Sequence, residues 1–410
     1  MKYRAFGKNG DSASILGYGC MRYPKKNGRV DVERTAKQIK MAIEGGVNYF
    51  DTAYAYPGSE AILGDILSDG LREKVMIATK ILPYLAGSKA GLERIFRTQL
   101  ERLKTNYIDC YLVHALTDFE GWEKAKAKGL TEFLEEKKKN GSIRYIGFSY
   151  HGDRDNFKKI IDDYDWDFCQ IQYNYIDENN QAGRDGLRYA YSRGISVVIM
   201  EPLRGGNLVG RMPEEIRSIW DRAPVKRTSA DWALRWIWDQ PEAAVVLSGL
   251  NEESHIEENL RIADGVQPNA LTAEELQLYK EVADKYRGLM KVGCTGCGYC
   301  LPCPAGVNIP FCFSYYNSHF LFKGGLRSKL SYVVFSSGLQ GGESSQASRC
   351  IRCGKCEKAC PQHLPIRQHL GEVRSVMEPR WARAVFWLAR KGLKLAGGRK
   401  KTVTDRTEKV

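Results

Sequence analysis

Val47-Asn48-Tyr49-Phe50-Asp51-Thr52-Ala53-Tyr54-Ala55-Tyr56 starts as a short β-branched and aromatic run and meets a carboxylate at Asp51. Two later stretches follow the same grammar. Val75-Met76-Ile77-Ala78-Thr79-Lys80 ends on an ammonium, and Tyr107-Ile108-Asp109-Cys110-Tyr111-Leu112-Val113-His114 ends on an imidazole. An ionisable group closing a buried run costs free energy unless it is paired, so three in succession point to one shared site rather than to packing. Working outward, eight runs read as strands: Ser14 to Gly19, Val47 to Asp51, Val75 to Lys80, Tyr107 to His114, Ile143 to Ser149, Phe168 to Gln172, Ile195 to Met200 and Ala244 to Ser248. Amphipathic stretches such as Val32 to Glu44, Ala90 to Leu103, Leu130 to Asn140 and Ser229 to Asp239 separate them. Such alternation predicts parallel βαβ units and a (β/α)8 TIM barrel, with catalytic groups at the C-terminal ends of the strands. An open dinucleotide-binding sheet would place G-x-G-x-x-G after the first strand, and Gly17-Tyr18-Gly19-Cys20-Met21-Arg22 lacks that spacing. Lys2 to Asp11 carries turn signals at Gly7 and Asn9-Gly10 and reads as a hairpin capping the barrel's bottom.

The chemistry of these strand ends follows from their side chains. A carbonyl becoming an alkoxide needs a proton donor, and a tyrosine hydroxyl with an ordinary pKa of about 10 is a poor one near neutrality. A neighbouring lysine ammonium stabilises the phenolate, an aspartate holds the ammonium charged, and a neutral histidine donates a hydrogen bond to the substrate oxygen. Tyr56 is therefore expected as general acid/base, Lys80 as its tuner, Asp51 as the lysine's partner and His114 as the orienter.

These residues resemble the aldo/keto reductase superfamily over about residues 1 to 265. Asp51-Thr52-Ala53-x-x-Tyr56-x-x-Ser59-Glu60 is similar to that family's first signature, and Asp109-Cys110-Tyr111-Leu112-Val113-His114 to its histidine strand. Tyr54 is expected as a pocket-wall aromatic. The resemblance implies NADH or NADPH as cofactor, a small carbonyl or alcohol as substrate, and nicotinamide contacts from Ser149 and Gln172. It further implies cofactor contacts at Gly19 and Met21, pyrophosphate contacts from Pro202, Leu203 and Gly205, and adenosine contacts around Ser248, Gly249, Glu258 and Asn259. Met200 stands where many members place an aromatic against the nicotinamide. The stretch Ser248 to His255 offers two acids and one histidine, so Coulomb's law disfavours a 2′-phosphate there unless Arg204 reaches over; NADH, or relaxed use of both cofactors, is expected.

Beyond a helical stretch at Ala273 to Tyr286, the composition changes at Gly293. Cys350-x2-Cys353-x2-Cys356-x3-Cys360-Pro361 is the run bacterial ferredoxins use for 4Fe-4S clusters, and Cys294-x2-Cys297-x2-Cys300-x2-Cys303-Pro304 is one residue shorter. In two-cluster ferredoxins the fourth cysteine crosses over. That would group Cys294, Cys297 and Cys300 with Cys360, and Cys350, Cys353 and Cys356 with Cys303. Two clusters are expected, with the short spacing leaving Cys303 open and zinc as the alternative metal. Cys20, Cys110, Cys169 and Cys312 read as small apolar filling. The segment is poor in periodic apolar residues, so ligation is expected to hold it together. The expected units are a barrel over residues 1–288, an α-rich ferredoxin-like iron-sulfur domain over 289–372, and a basic helix and tail over 373–410.

The chain has 410 residues, 43% of them hydrophobic and 27% charged, which excludes disorder as its general state. No apolar run is long enough to span a membrane and no signal peptide is evident, so the expected address is the cytoplasm. Residues 291–410 hold 20 Lys and Arg against 6 Asp and Glu, while the rest hold 42 against 43. Trp381, Phe386 and Trp387 lie among Arg380, Arg383, Arg390, Lys391 and Lys394. This pattern fits a packed terminal helix, a peripheral contact with an anionic membrane, or an acidic redox partner; no nucleic-acid module accompanies it. Three functions stay open: a carbonyl/alcohol oxidoreductase with structural or sensing clusters, an iron-sulfur electron-transfer protein serving a redox partner, and a scaffold with an idle barrel. The complete tetrad argues against the third.

Overall fold

The computed structural model describes residues 1–210, 212–337 and 344–379. The chain divides between Asp284 and Lys285 into two compact units, a division that falls inside the helix Ala273–Leu289.

In the first unit eight parallel strands close into a barrel. They are β1 (Leu16–Gly19), β2 (Tyr49–Asp51), β3 (Met76–Ile81), β4 (Ile108–Leu116), β5 (Ile143–Tyr150), β6 (Phe168–Gln172), β7 (Ser196–Met200) and β8 (Ala243–Ser248). Each pairs with its neighbours in sequence, and β8 pairs with β1 to complete the ring. All eight expected strands are present, and the helices Val32–Glu44, Lys89–Leu103, Leu130–Lys139 and Ser229–Trp238 lie where the amphipathic pattern puts them.

Below the barrel, Tyr3–Phe6 and Asp11–Ser14 form the antiparallel hairpin. Its Phe6 ring inserts among Tyr49, Tyr145 and Phe168 at centroid distances of 5.5, 5.7 and 5.3 Å. The barrel interior needs small residues to admit these rings. A Cβ on Gly147 would lie 2.6 Å from the ring of Phe168, so β5 carries glycine there.

The second unit has a core of its own, contrary to expectation. Ile309, Cys312, Phe313 and Tyr316 recur at helical spacing on the helix Ile309–Leu321 and are buried, as are Ile366, Leu370, Val373 and Met377 on the helix Ile366–Met377. Tyr332 and Val333, on a third helix Gly325–Ser336, join the cluster, as do Val292, Val307 and Ala347. The pattern is masked in the sequence because Phe311, Tyr315 and Phe320 also place aromatics on the other faces of the first helix. Helix Ile366–Met377 also runs through the expected boundary at 372, so residues 373–377 belong with the cysteine unit. The expected basic helix and tail from Arg380 onward lie outside the described residues.

Candidate active site and cysteine centre

The barrel's site is the upper end of its own core. Side chains two apart on a strand share a face. Tyr49, Met76, Cys110, Tyr145 and Phe168 fill the interior near the bottom. Climbing two residues at a time leads from Tyr49 to Asp51, from Met76 through Ala78 to Lys80, and from Cys110 through Leu112 to His114. The same count leads from Tyr145 through Gly147 to Ser149, and from Phe168 through Gln170 to Gln172. Register staggers the columns: Asp51 lies opposite Ala78, and Lys80 opposite Leu112.

Lys80 is completely buried and donates from Nζ to Asp51 Oδ1 at 2.6 Å and to the Thr52 carbonyl at 2.7 Å. The same Nζ lies 5.1 Å from the centroid of the Tyr56 ring, and the His114 ring meets Tyr56 edge-on at 6.0 Å. Tyr56 is half-buried in the loop that follows β2, where its N–H bonds the Ala53 carbonyl. All four tetrad candidates are thus brought together. Burial raises the Asp51 carboxyl above its usual range, while the Lys80 ammonium opposes that shift. Burial, then the Lys80 charge, then His151 hold His114 well below the ordinary histidine range, so its imidazole is neutral.

The cofactor candidates sit on neighbouring strand ends and loops. Ser149 Oγ accepts from the Ala115 N–H at 2.8 Å, which leaves its hydroxyl proton to donate elsewhere. Gln172 Nε2 donates to Asp177 Oδ2 at 2.9 Å, and Ser248 Oγ accepts from Asn259 Nδ2 at 2.7 Å. Met200 accepts from Gln170 Nε2 at 3.6 Å and packs partly on the barrel interior. Past it, Glu201 and Arg204 are left-handed at φ 54° and 51°, as are Gly205 and Gly206. Non-glycine residues in that region store strain, which clusters at ligand-binding loops. Added Cβ atoms at Gly206 and Gly249 would meet nothing within 4 Å, whereas one on Gly19 would lie 3.2 Å from the Ser248 carbonyl oxygen. Met21 is exposed, and Pro202, Leu203 and Glu258 complete the set on the β7 loop and the helix Glu253–Gly265.

None of the twelve cysteines, all of which lie among the described residues, is joined in a disulfide. Cys294, Cys297, Cys300 and Cys360 line one cavity, and Cys303, Cys350, Cys353 and Cys356 line another, with Cys300 also touching the second. Burial, followed by Cys294, Cys297 and Cys360, pushes the Cys300 thiol up to about 12. Among the described residues no three His, Cys, Asp or Glu side chains close on a single metal ion.

The two runs repeat each other in backbone detail. Gly296 and Arg352, two residues past the first cysteine of each run, are left-handed, and each N–H donates to that cysteine's sulfur at 3.4 Å. Gly298 and Gly354 are left-handed at the next equivalent position. After the fourth cysteines, Gly306 N–H bonds the Cys303 carbonyl at 2.9 Å and His363 N–H the Cys360 carbonyl at 3.0 Å. A buried isoleucine, Ile309 or Ile366, then opens a helix six residues past each fourth cysteine. Cys303 is therefore the counterpart of Cys360 despite the shorter spacing.

The profile of the aldo/keto reductase family matches residues 15–283. The chain belongs to the aldo/keto reductase family. A 4Fe-4S dicluster domain profile matches residues 293–365. Among curated relatives, L-galactose dehydrogenase of Arabidopsis thaliana is 25% identical over 314 residues, covering 70% of this chain and 96% of the relative. The NADH-specific methylglyoxal reductase of Escherichia coli is 25% identical over 286 residues, covering 58% and 85%. A solved Bacillus halodurans aldo-keto reductase in holo form superposes with a TM-score of 0.58 at 26% identity, covering 69% of this chain and 96% of that one.

This aldo/keto reductase barrel also holds polar groups that the sequence reading did not assign. Glu60, in the family signature, is buried and accepts from Thr79 Oγ1 at 2.7 Å, Gln99 Nε2 at 2.8 Å and Arg102 Nη1 at 3.1 Å. Gln99 accepts in turn from the Tyr111 hydroxyl at 2.8 Å, which braces the back of β3 behind Lys80. A signal was present: Gln99 is polar on the apolar stripe Leu92, Ile95, Phe96, Leu103. Tyr54 has the Arg102 guanidinium over its ring at 4.7 Å. Asp177, on a loop with no periodic signal, accepts from Gln172, from Asn174 Nδ2 at 3.1 Å and from Arg204 Nε at 2.9 Å.

Proposed function

We propose that the barrel interconverts a small carbonyl and its alcohol with a nicotinamide cofactor, and that the cysteine unit carries two 4Fe-4S clusters. The observation that carries the first part is the Lys80 ammonium, fixed 2.6 Å from Asp51 and set beside the Tyr56 ring with neutral His114 across from it. Bound nicotinamide supplies or accepts the hydride. Tyr56 gives the proton to the substrate oxygen, and the Lys80 charge stabilises the phenolate left behind. Asp51 keeps Lys80 in place, and His114 donates a hydrogen bond that orients the substrate oxygen. Ser149 and Gln172 are the buried polar groups suited to the carboxamide, and the open backbone at Gly205 and Gly206 suits the pyrophosphate.

NADH is the better fit. Arg34, the cation beside the adenosine loop, already contacts Glu252 and donates to Glu253 at 2.6 Å; this pairing holds the Glu253 carboxyl down at about 2. Arg204, on the loop after β7, donates to Asp177. An added 2′-phosphate dianion would face acids whose cation is engaged.

For the clusters, Cys294, Cys297, Cys300 and Cys360 form one ligand set and Cys303, Cys350, Cys353 and Cys356 the other. Bound clusters supply one-electron redox chemistry. The backbone repeat, and the gathering of each proposed set of four thiols around its own cavity with Cys300 shared between the two, support this assignment. Anaerobic purification should yield about eight irons per chain, where about four would mean one cluster. NADH oxidation with a panel of small aldehydes should be lost in Tyr56→Phe; retention of the rate would refute the mechanism.

A further inference from the structure

The two halves of the cysteine unit share a backbone and differ in what they show to solvent. Residues 294–310 contain no charged side chain, whereas residues 349–367 contain five Arg and Lys against one Glu. The contrast recurs position by position. Thr295, following the first cysteine of one run, is 2% exposed; its counterpart Ile351 is 67% exposed. Gly296 corresponds to exposed Arg352, and Tyr299 to exposed Lys355. Cys353 is itself exposed, and exposed Leu301 and Ile351 line the same cavity as Cys303, Cys350, Cys353 and Cys356. Arg367 pairs with Glu357 at 2.6 Å, so the two charges largely cancel and Arg352, Lys355 and Lys358 leave this face net positive.

We propose that this face, with exposed Ile351 and Leu301 as apolar contacts and Arg352, Lys355 and Lys358 as the cations on the same loop and helix, docks an acidic one-electron carrier protein that exchanges electrons with the cluster held by Cys303, Cys350, Cys353 and Cys356. The inference rests on the two-cluster reading and adds which cluster faces the partner. A small apolar patch beside like charges is how transient redox encounters combine orientation with steering. The exposed ligand Cys353 puts the cluster's edge inside the contact, a feature a lipid surface would not use. In the exchange one electron leaves the reduced carrier and enters the oxidised cluster; the carrier is oxidised by one unit, the cluster is reduced by one, and no bond or proton moves. Cations beside Cys353 also favour the more negative, reduced cluster, which directs the electron to this half first.

The test uses the full-length, cluster-loaded protein and a reduced acidic 2Fe-2S ferredoxin as probe, with electron transfer followed by stopped-flow absorbance. The wild-type rate constant should fall more than tenfold between low salt and 0.5 M salt. The triple substitution Arg352→Gln, Lys355→Gln, Lys358→Gln should lower the low-salt rate about tenfold or more, and Ile351→Ser should weaken binding at all salt concentrations. A control triple on the helix Gly325–Ser336 and its preceding turn, Lys323→Gln, Arg327→Gln, Lys329→Gln, should stay within twofold of wild type. Wild-type rates in the first triple, or equal losses in the control, would overturn the docking face. So would loss of anionic-vesicle binding in the first triple with transfer intact. Iron counting separates this from failure of the ligand assignment. If Cys353→Ser keeps all its iron, the ligand sets are wrong; if the triple keeps its iron and loses transfer, the docking face stands.

Discussion

The barrel places Asp51, Lys80, His114, Ser149 and Gln172 on regular strands, where each is the next step of an alternation that begins in the core, and adds Tyr56 from the loop that follows β2. The cysteine unit places its groups on loops whose shape is set by left-handed residues and by N–H bonds to sulfur. In the first case packing orients the chemistry before any cofactor arrives. In the second a modest core of three helices supports loops whose eight thiols, on the two-cluster proposal, would repel one another once ionised until metal bound them. One site is preorganised by burial, and the proposed clusters would complete the other.

The largest expected effect divides the two regions cleanly. Tyr56→Phe should lower kcat for carbonyl reduction by about 10² to 10⁴-fold while leaving iron content at the wild-type value. Cys353→Ser should do the reverse, removing iron with NADH oxidation retained. Paired steady-state kinetics and iron assays check both. Next is the buried ion pair: Lys80→Met leaves Asp51 buried without its cation and should cost about 3–5 kcal/mol in urea unfolding of the barrel. Gln99→Leu should cost about 1–3 kcal/mol, because Glu60 and the Tyr111 hydroxyl each lose a buried partner; its effect on kcat should be smaller than that of Lys80→Met.

A pH series gives a smaller signal. His114 is depressed in the folded chain, so the unfolded chain takes up the proton first. Its contribution to stability is present above about pH 6.5 and is lost as pH falls below that, at up to about 1.4 kcal/mol per pH unit. Unfolding midpoints between pH 7.5 and 5 should therefore drop more steeply for wild type than for His114→Gln. The smallest effect belongs to the cysteine unit. Arg352 holds φ at 58° where its counterpart is Gly296, so Arg352→Gly relieves left-handed strain and should change stability by no more than about 1 kcal/mol. A loss of several kcal/mol would break the equivalence of the two runs.

How much could be read beforehand follows the same division. Strand positions were legible because β-branched runs with period two are local, and Asp51, Lys80 and His114 because an ionisable group at the end of such a run stands out; Tyr56, beyond the strand, was legible from its spacing in the family signature. Glu60 was legible only as part of a motif, since a carboxylate buried by residues from two other elements has no local mark. Asp177 lies on a loop, where no periodicity points inward. The cysteine spacing announced iron, yet the small core beneath it was hidden: Ile309, Cys312, Phe313 and Tyr316 are framed by aromatics on every side, and the stripe Ile366, Leu370, Val373, Met377 straddles the point where the composition turns basic.

The two-residue step along each strand has a further result. Inserting or deleting one residue within β2, β3 or β4 would exchange inside for outside for everything above it, turning a carboxylate, an ammonium or an imidazole toward the helices and an apolar side chain toward the substrate. Such a change would leave the interior unfilled and the reaction unsupported together. Selection for a solid interior thereby also guards the alignment of the reactive groups, and single-residue length changes in these strands are filtered out by folding before catalysis is ever tested.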